Sequence, residues 1–361
     1  MRLNMHKLKN KFKRLIMSAA TIGTACLLAG CGAGAAAGTD NSSVTESQSG
    51  VNGSEQENAS SDSQKLQIVA TIFPEYDWVK EILGDQAENV DLTLLLGNGT
   101  DMHSFQPTME DILKVSTCDL FIYVGGESDS WVVDALKGAG NPDRKAINLM
   151  DVLGDQVKEE EIVEGMQDED GHTHEEEHTH DDDLEYDEHV WLSLKNASLF
   201  CDTIASSLAD VDPEHSRLYQ QNAEAYEEKL AALDQEYQTS VEKSRSKTLL
   251  FADRFPFRYL IDDYNLTYYA AFAGCSAETD ASFETITFLA GKLDELKLPA
   301  VLTIENSDQK VAKAVIENTN TKDQKILTLN SMQSVTTKDV EEGTTYLSIM
   351  ENNLQILKEA L

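Results

Sequence analysis

Residues 213–243 read PEHSRLYQQNAEAYEEKLAALDQEYQTSVEK. Leu218, Asn222, Tyr226, Leu230, Leu233, Tyr237 and Val241 recur in this stretch at spacings of four and three, the period of one buried helix face. Pro213 stands where a first helical turn tolerates a residue without an amide hydrogen. A helix over this stretch would run roughly 45 Å at about 1.5 Å per residue, enough to cross two lobes as a stiff connector. The same spacing could make the seam of a coiled-coil dimer, although Asn222 and the many alanines leave that seam thin.

Outward from this helix, short β-branched or aliphatic runs alternate with amphipathic stretches on both sides. Before it stand Gln67 to Ile72, Val90 to Leu95, Asp119 to Val124 and Lys145 to Leu149; after it stand Thr248 to Ala252, Thr267 to Ala271, Ala300 to Ile304 and Lys325 to Leu329. Such alternation marks βα units with parallel strands. The expected fold is α/β, with two similar lobes, each a four-stranded, mostly parallel sheet flanked by helices, joined by one long rigid helix. The N-terminal lobe is expected over 65–212, the connecting helix over 213–245 and the C-terminal lobe over 246–361.

Residues 1–30 read as a secretory signal, with Arg2, Lys7, Lys9, Lys11, Lys13 and Arg14 ahead of an uncharged run from Leu15 to Ala29. Leu27-Leu28-Ala29-Gly30-Cys31 resembles a bacterial lipobox, which implies cleavage before Cys31 and its acylation. Two or more acyl chains anchor stably, since each buried methylene contributes about 0.8 kcal/mol. The expected location is therefore the extracytoplasmic face of the cell membrane. Residues 31–64 contain no aromatic residue and only Val44 and Val51 as larger aliphatics, so they read as a disordered tether. Cys118, Cys201 and Cys275 remain as three widely spaced cysteines. They make a poor disulfide framework and are expected as buried free thiols.

The chain carries a net charge of -35, which excludes nucleic acid as a partner, because phosphate binding needs clustered Lys and Arg. Residues 159–188 concentrate 16 of the 64 acids and contain no Lys or Arg. In open α/β sheets ligands bind beyond the carboxyl ends of strands. The loop Gly97 to Thr108, after the second run, presents His103, and Asp187-Glu188-His189-Val190-Trp191-Leu192-Ser193 presents His189. Asp253 and Arg254 follow the fifth run, Glu305 the seventh and Asn330 the eighth. Imidazole and carboxylate donors suit zinc, and histidine suits manganese less well.

His103-Ser104-Phe105-Gln106-Pro107-Thr108 resembles the HSFEPT motif of the cluster A-I metal-binding proteins of bacterial ABC importers. Asp119 to Tyr123 with Trp131, and Asp187 to Leu192, are similar to further signatures of that family, and the similarity runs in order from about Ile68 to Leu361. The resemblance implies two lobes joined by a rigid helix, a metal in the cleft, and permease and ATPase subunits on other chains. It implies His103 and His189 as the first two metal ligands. At the third ligand position this chain has Arg254, which cannot ligate a cation, so Asp253 is expected to substitute. Asn330 matches the fourth position, with Glu305 in reserve.

His172, His174, His178 and His180 sit among acids in the 159–188 segment. Alternating histidines read as a low-affinity metal-collecting loop, and in the family such a loop marks the zinc branch. Zn2+ is therefore the expected cargo, with Mn2+ or iron as the alternative. Residues 174–178 match H-E-x-x-H, but Gly, Thr and acids around them offer no apolar face to dock a catalytic helix. A secreted zinc hydrolase and a metal-dependent surface adhesin are the rival readings.

Overall fold

The computed structural model describes residues 65–138, 140–167, 185–276 and 280–361. Each of the eight apolar runs forms a strand: β1 (Leu66–Ala70), β2 (Val90–Leu94), β3 (Leu120–Tyr123), β4 (Lys145–Asn148), β5 (Thr248–Phe255), β6 (Thr267–Ala273), β7 (Ala300–Thr303) and β8 (Lys325–Thr328). One sheet has the order β2-β1-β3-β4, the other β6-β5-β7-β8, and every pair is parallel. The two sheets thus repeat one topology, and in each the strand order reverses between its paired first and third strands, the switch point beyond whose carboxyl ends ligands bind in such sheets.

β5 departs from expectation. It continues past Ala252 to Phe255, because a register shift between Phe251 and Arg254 lets it keep pairing with β6, Arg254 opposite Phe272. Asp253 and Arg254 are therefore strand residues rather than loop residues.

A 3-10 turn at Pro213–His215 leads into the connecting helix, Ser216–Lys243, about 42 Å long. Asp212 organises the entry, accepting from the Tyr219 hydroxyl at 2.5 Å and facing His215 Nδ1 at 2.7 Å. The buried seam is Tyr219, Ala223, Tyr226, Leu230, Leu233, Tyr237 and Val241, one residue off the expected Leu218 and Asn222 at its start. Asn222 instead donates to the Ile82 carbonyl at 2.9 Å. The seam packs within the chain, against helices Phe73–Leu83, Leu194–Val211 and Tyr346–Ala360, so a coiled-coil dimer has no apolar face left here.

Trp78, Phe200 and Tyr346 pack together at the junction of the lobes, the Phe200 ring tilted and the Tyr346 ring edge-on, with centroids 5.7 Å and 5.2 Å from the Trp78 ring. Three buried hydrogen bonds cross there. The Tyr346 amide donates to Asp77 at 2.8 Å, its hydroxyl to the Trp191 carbonyl at 2.8 Å, and the Trp191 indole to the Ser331 carbonyl at 2.9 Å. Each such bond contributes about 1 kcal/mol, and burying each large side chain about 1.5–3 kcal/mol. The floor of the cleft is therefore a rigid floor.

Candidate metal centre

His103 is set by a short cap. Asp101 closes the turn Met102–Ser104, its Oδ1 accepting the His103 amide at 3.1 Å, while Met102 is buried beneath. The ring then rests with Nδ1 2.9 Å from Ser128 Oγ and 3.7 Å from Glu188 Oε2. The Ser128 amide donates to Glu188 Oε1 at 2.9 Å. Gly126, at φ +78°, makes this arrangement possible, since a Cβ there would lie 2.3 Å from Glu188 Oε1. Burial raises the Glu188 pKa, and its Ser128 hydrogen bonds oppose that rise.

His189 is fully buried. Asp187 Oδ1 accepts its amide at 2.8 Å and faces its Nδ1 at 3.0 Å. A carboxylate accepts from an Nδ1–H placed against it, and that tautomer leaves the lone pair on Nε2, which faces outward. Carboxylates behind metal-binding imidazoles fix tautomer and orientation in this way.

The two rings meet with Nε2 3.2 Å from Nε2. Burial and the neighbouring His189 push His103 down to about 4, so it is unprotonated near neutral pH. Two nitrogen donors on one tetrahedral zinc, at about 2.0–2.1 Å each, stand about 3.3 Å apart. The spacing of the rings is thus that of ligands sharing an ion.

The C-terminal lobe contributes from the opposite wall. Cys275, in the turn after β6, places its Sγ and one nitrogen of each histidine all within 4.8 Å of one another. Burial pushes its thiol pKa up, and Glu160, Asp187 and Glu188 add to that rise. The Gln333 side-chain amide lies between the two lobes' groups, one end 3.0 Å from His189 Nε2 and the other 3.0 Å and 3.1 Å from the Asp101 carboxylate oxygens. Arg254 Nη2 donates to Asp101 Oδ2 at 2.7 Å. Burial works against the Asp101 charge, yet the Arg254 guanidinium holds that carboxyl below the ordinary carboxylate range.

A cavity of about 1110 Å³ opens onto this group, lined among others by His103, Trp131, Glu160, Glu185, Glu188 and Cys275. Glu160 and Glu185 belong to the two ends of the acidic segment, joined by a bridge between Glu159 and Tyr186 and a Glu160-to-Glu185 backbone bond of 2.9 Å. The Tyr259 hydroxyl ties this base to the second lobe, accepting from the Lys158 amide at 3.0 Å and donating to the Asp187 carbonyl at 2.9 Å.

Two histidines converging at strand carboxyl ends, in a cleft between lobes of one repeated topology, offer two nitrogen donors to a single cation. The sequence matches over residues 68–360 the family described as zinc-uptake complex component A, periplasmic (ZnuA). The chain belongs to that family.

Among similar proteins are the zinc-binding lipoprotein AdcA of Streptococcus pneumoniae, 32% identical over 82% of this chain, and the high-affinity zinc uptake system protein ZnuA of Bacillus subtilis, 29% identical over 86%. The chain covers 92% of the Bacillus protein but only 56% of AdcA, so it spans little more than half the length of the streptococcal relative. Among solved structures, the Zn(II)-bound ZnuA-like domain of S. pneumoniae AdcA superposes with a TM-score of 0.64 at 27% identity, covering 82% of this chain and 99% of that one. The metal-dependent lipoprotein YcdH of B. subtilis gives 0.65 at 26%, with the same coverage. Proteins of the ZnuA family are metal-binding transport receptors.

Within this member, the structure brings His103 and His189 together and leaves the other expected ligands apart. Asp253 is held in β5, its Oδ1 accepting the Arg254 amide at 2.9 Å and its Oδ2 the Ile304 amide at 3.4 Å. Glu305 accepts from Ser331 N, Ser331 Oγ and Gln333 N at 2.7, 2.8 and 3.1 Å, which shapes the loop after β8. Asn330 spends its side-chain oxygen on the Met332 amide at 2.7 Å. Cys118 and Cys201 are free and buried, whereas Cys275 is free and only half-buried. His172, His174, His178, His180 and Cys31 lie outside the described residues. Cys275 and Gln333 are the cleft residues that sequence reasoning missed. Applying the strand-end rule to β6 as well would have reached Cys275, two residues past Ala273; a neutral amide like Gln333 carries no comparable signal.

Proposed function

We propose that this chain is the lipid-anchored, extracytoplasmic receptor of an ABC importer, capturing zinc in the interlobe cleft and delivering it to permease and ATPase subunits on other chains. The observation that carries the reading is the pair of outward Nε2 atoms, 3.2 Å apart, with Asp187 behind one ring and Ser128 behind the other. Zinc exchanges its water for His103 and His189, whose rings need no reorientation. Family membership and the zinc-bound state of the similar AdcA domain favour zinc over manganese or iron.

Burial and the neighbouring His189 push His103 down to about 4, so this ring keeps its lone pair available below the ordinary histidine range. The rigid floor and the connecting helix limit closure of the lobes to a small motion. The acidic segment is rooted at the mouth of the cavity, and His172, His174, His178 and His180 within it would concentrate metal there. Cys31 would hold the whole at the membrane, with 31–64 as tether. The chain is read as a receptor and not as an enzyme, since capture asks for no bond-making step.

The test is a zinc–manganese competition on a chain with the four loop histidines changed to Ala. One tight zinc that manganese does not displace is expected. Equal affinity for both metals would overturn the zinc assignment, and no tight metal would overturn the receptor reading.

A further inference from the structure

We propose that Cys275 is the third metal ligand, so that this cleft holds its cation through two imidazoles and one thiolate. The inference rests on the zinc-receptor reading above and names its donor set. Arg254 occupies the position where the family resemblance places a third donor, and its guanidinium is tied to Asp101 at 2.7 Å. The histidine pair is therefore one protein donor short on the side of the C-terminal lobe. Among the described residues, the one cluster of three His, Cys, Asp or Glu side chains with metal-binding spacing is His103, His189 and Cys275.

The backbone holds the sulfur there. A Cβ on Gly274 would lie 3.1 Å from His189 Cε1 and 2.9 Å from the Phe255 carbonyl, so the turn rests directly on the imidazole. The Cys275 amide donates to Glu160 Oε1 at 3.0 Å, which fixes the next residue. The thiol is free and lines the cavity. A tetrahedral zinc with S at about 2.3 Å and N at about 2.0–2.1 Å separates S from N by about 3.6 Å, and a side-chain rotation closes the gap from the observed spacing. As the metal binds, the S–H bond breaks, its electron pair goes to zinc and the proton leaves to solvent. A thiolate favours zinc and disfavours manganese, a preference of soft donors. Gln333 or water would fill the fourth position.

The experiment uses the full chain with His172, His174, His178 and His180 changed to Ala, titrated with one equivalent of Co2+ and, separately, with Zn2+ against a chelating dye. A thiolate-to-cobalt charge-transfer band is expected, lost in Cys275→Ser and kept in Cys118→Ser, a change in the core. Zinc affinity should fall at least about 10- to 100-fold in Cys275→Ser, the range already seen when a supporting group is removed, and return largely in Cys275→His. Tight zinc that His103→Ala abolishes, with no thiolate band or with affinity unchanged in Cys275→Ser, overturns the thiolate ligand while the zinc reading stands. No tight zinc in the parent chain overturns both.

Discussion

The two walls of the cleft are built by different means. On the N-terminal side each donor has a carboxylate two residues before it: Asp101 caps the turn that carries His103, and Asp187 faces His189, while Ser128 meets the His103 ring from only 25 residues away. On the C-terminal side the support is long-range. Arg254 reaches Asp101 from 153 residues away, Glu160 holds the Cys275 amide from 115, and Glu305 shapes the loop of Gln333 from 28. A wall whose support is local can be read as a motif. The other wall exists only once the chain has folded, and its donors are free to differ from those of relatives with the same fold.

The contrast makes predictions of decreasing size. Replacing His103 or His189 by Ala removes a donor outright, and each should weaken zinc by at least about 100-fold, because even supporting groups cost 10- to 100-fold; competition with a chelating dye reads this. Gln333→Ala on the opposite wall should cost much less, and an equal loss would show that the walls share the metal evenly. Asp187→Asn leaves His189 in place but removes the carboxylate behind it, so a loss of about 10- to 100-fold is expected in the same titration.

Arg254→Gln should act in the opposite direction. It frees the Asp101 carboxylate from its cation beside the site, and affinity for a divalent ion should rise by about threefold to tenfold, more at low salt than at high. No change would mean that the Arg254–Asp101 pair does not sense the metal.

The smallest effect concerns stability. Burial and then the charge of Asp129 raise Glu75, in the first turn of helix Phe73–Leu83 after β1, from 4.5 to about 8. A folded-state pKa above the unfolded one means that its contribution is complete below about pH 4.5 and is lost as pH rises through about 8. The metal-free protein should melt progressively lower across that window, and Glu75→Gln should flatten the decline, as followed by circular dichroism.

The strands were legible because parallel strands buried on both faces read as continuous apolar runs. The connecting helix was legible too, although its first buried turn is set by Tyr219 and Ala223 while Asn222 caps a neighbouring carbonyl. Asp253 looked like a loop donor because nothing local announces the register shift that extends β5 to Phe255. Asn330 and Glu305 were placed at the correct edge of the sheet, but their oxygens are consumed by the loop after β8. Cys275 read only as one of three thiols, since its partners are far away in the chain.

The most direct measurement is anomalous scattering at the zinc edge from crystals of the chain loaded with one equivalent of zinc. One strong peak is expected between His103 Nε2 and His189 Nε2, within bonding distance of both. A zinc peak elsewhere, with those two nitrogens unligated, would contradict capture by this histidine pair.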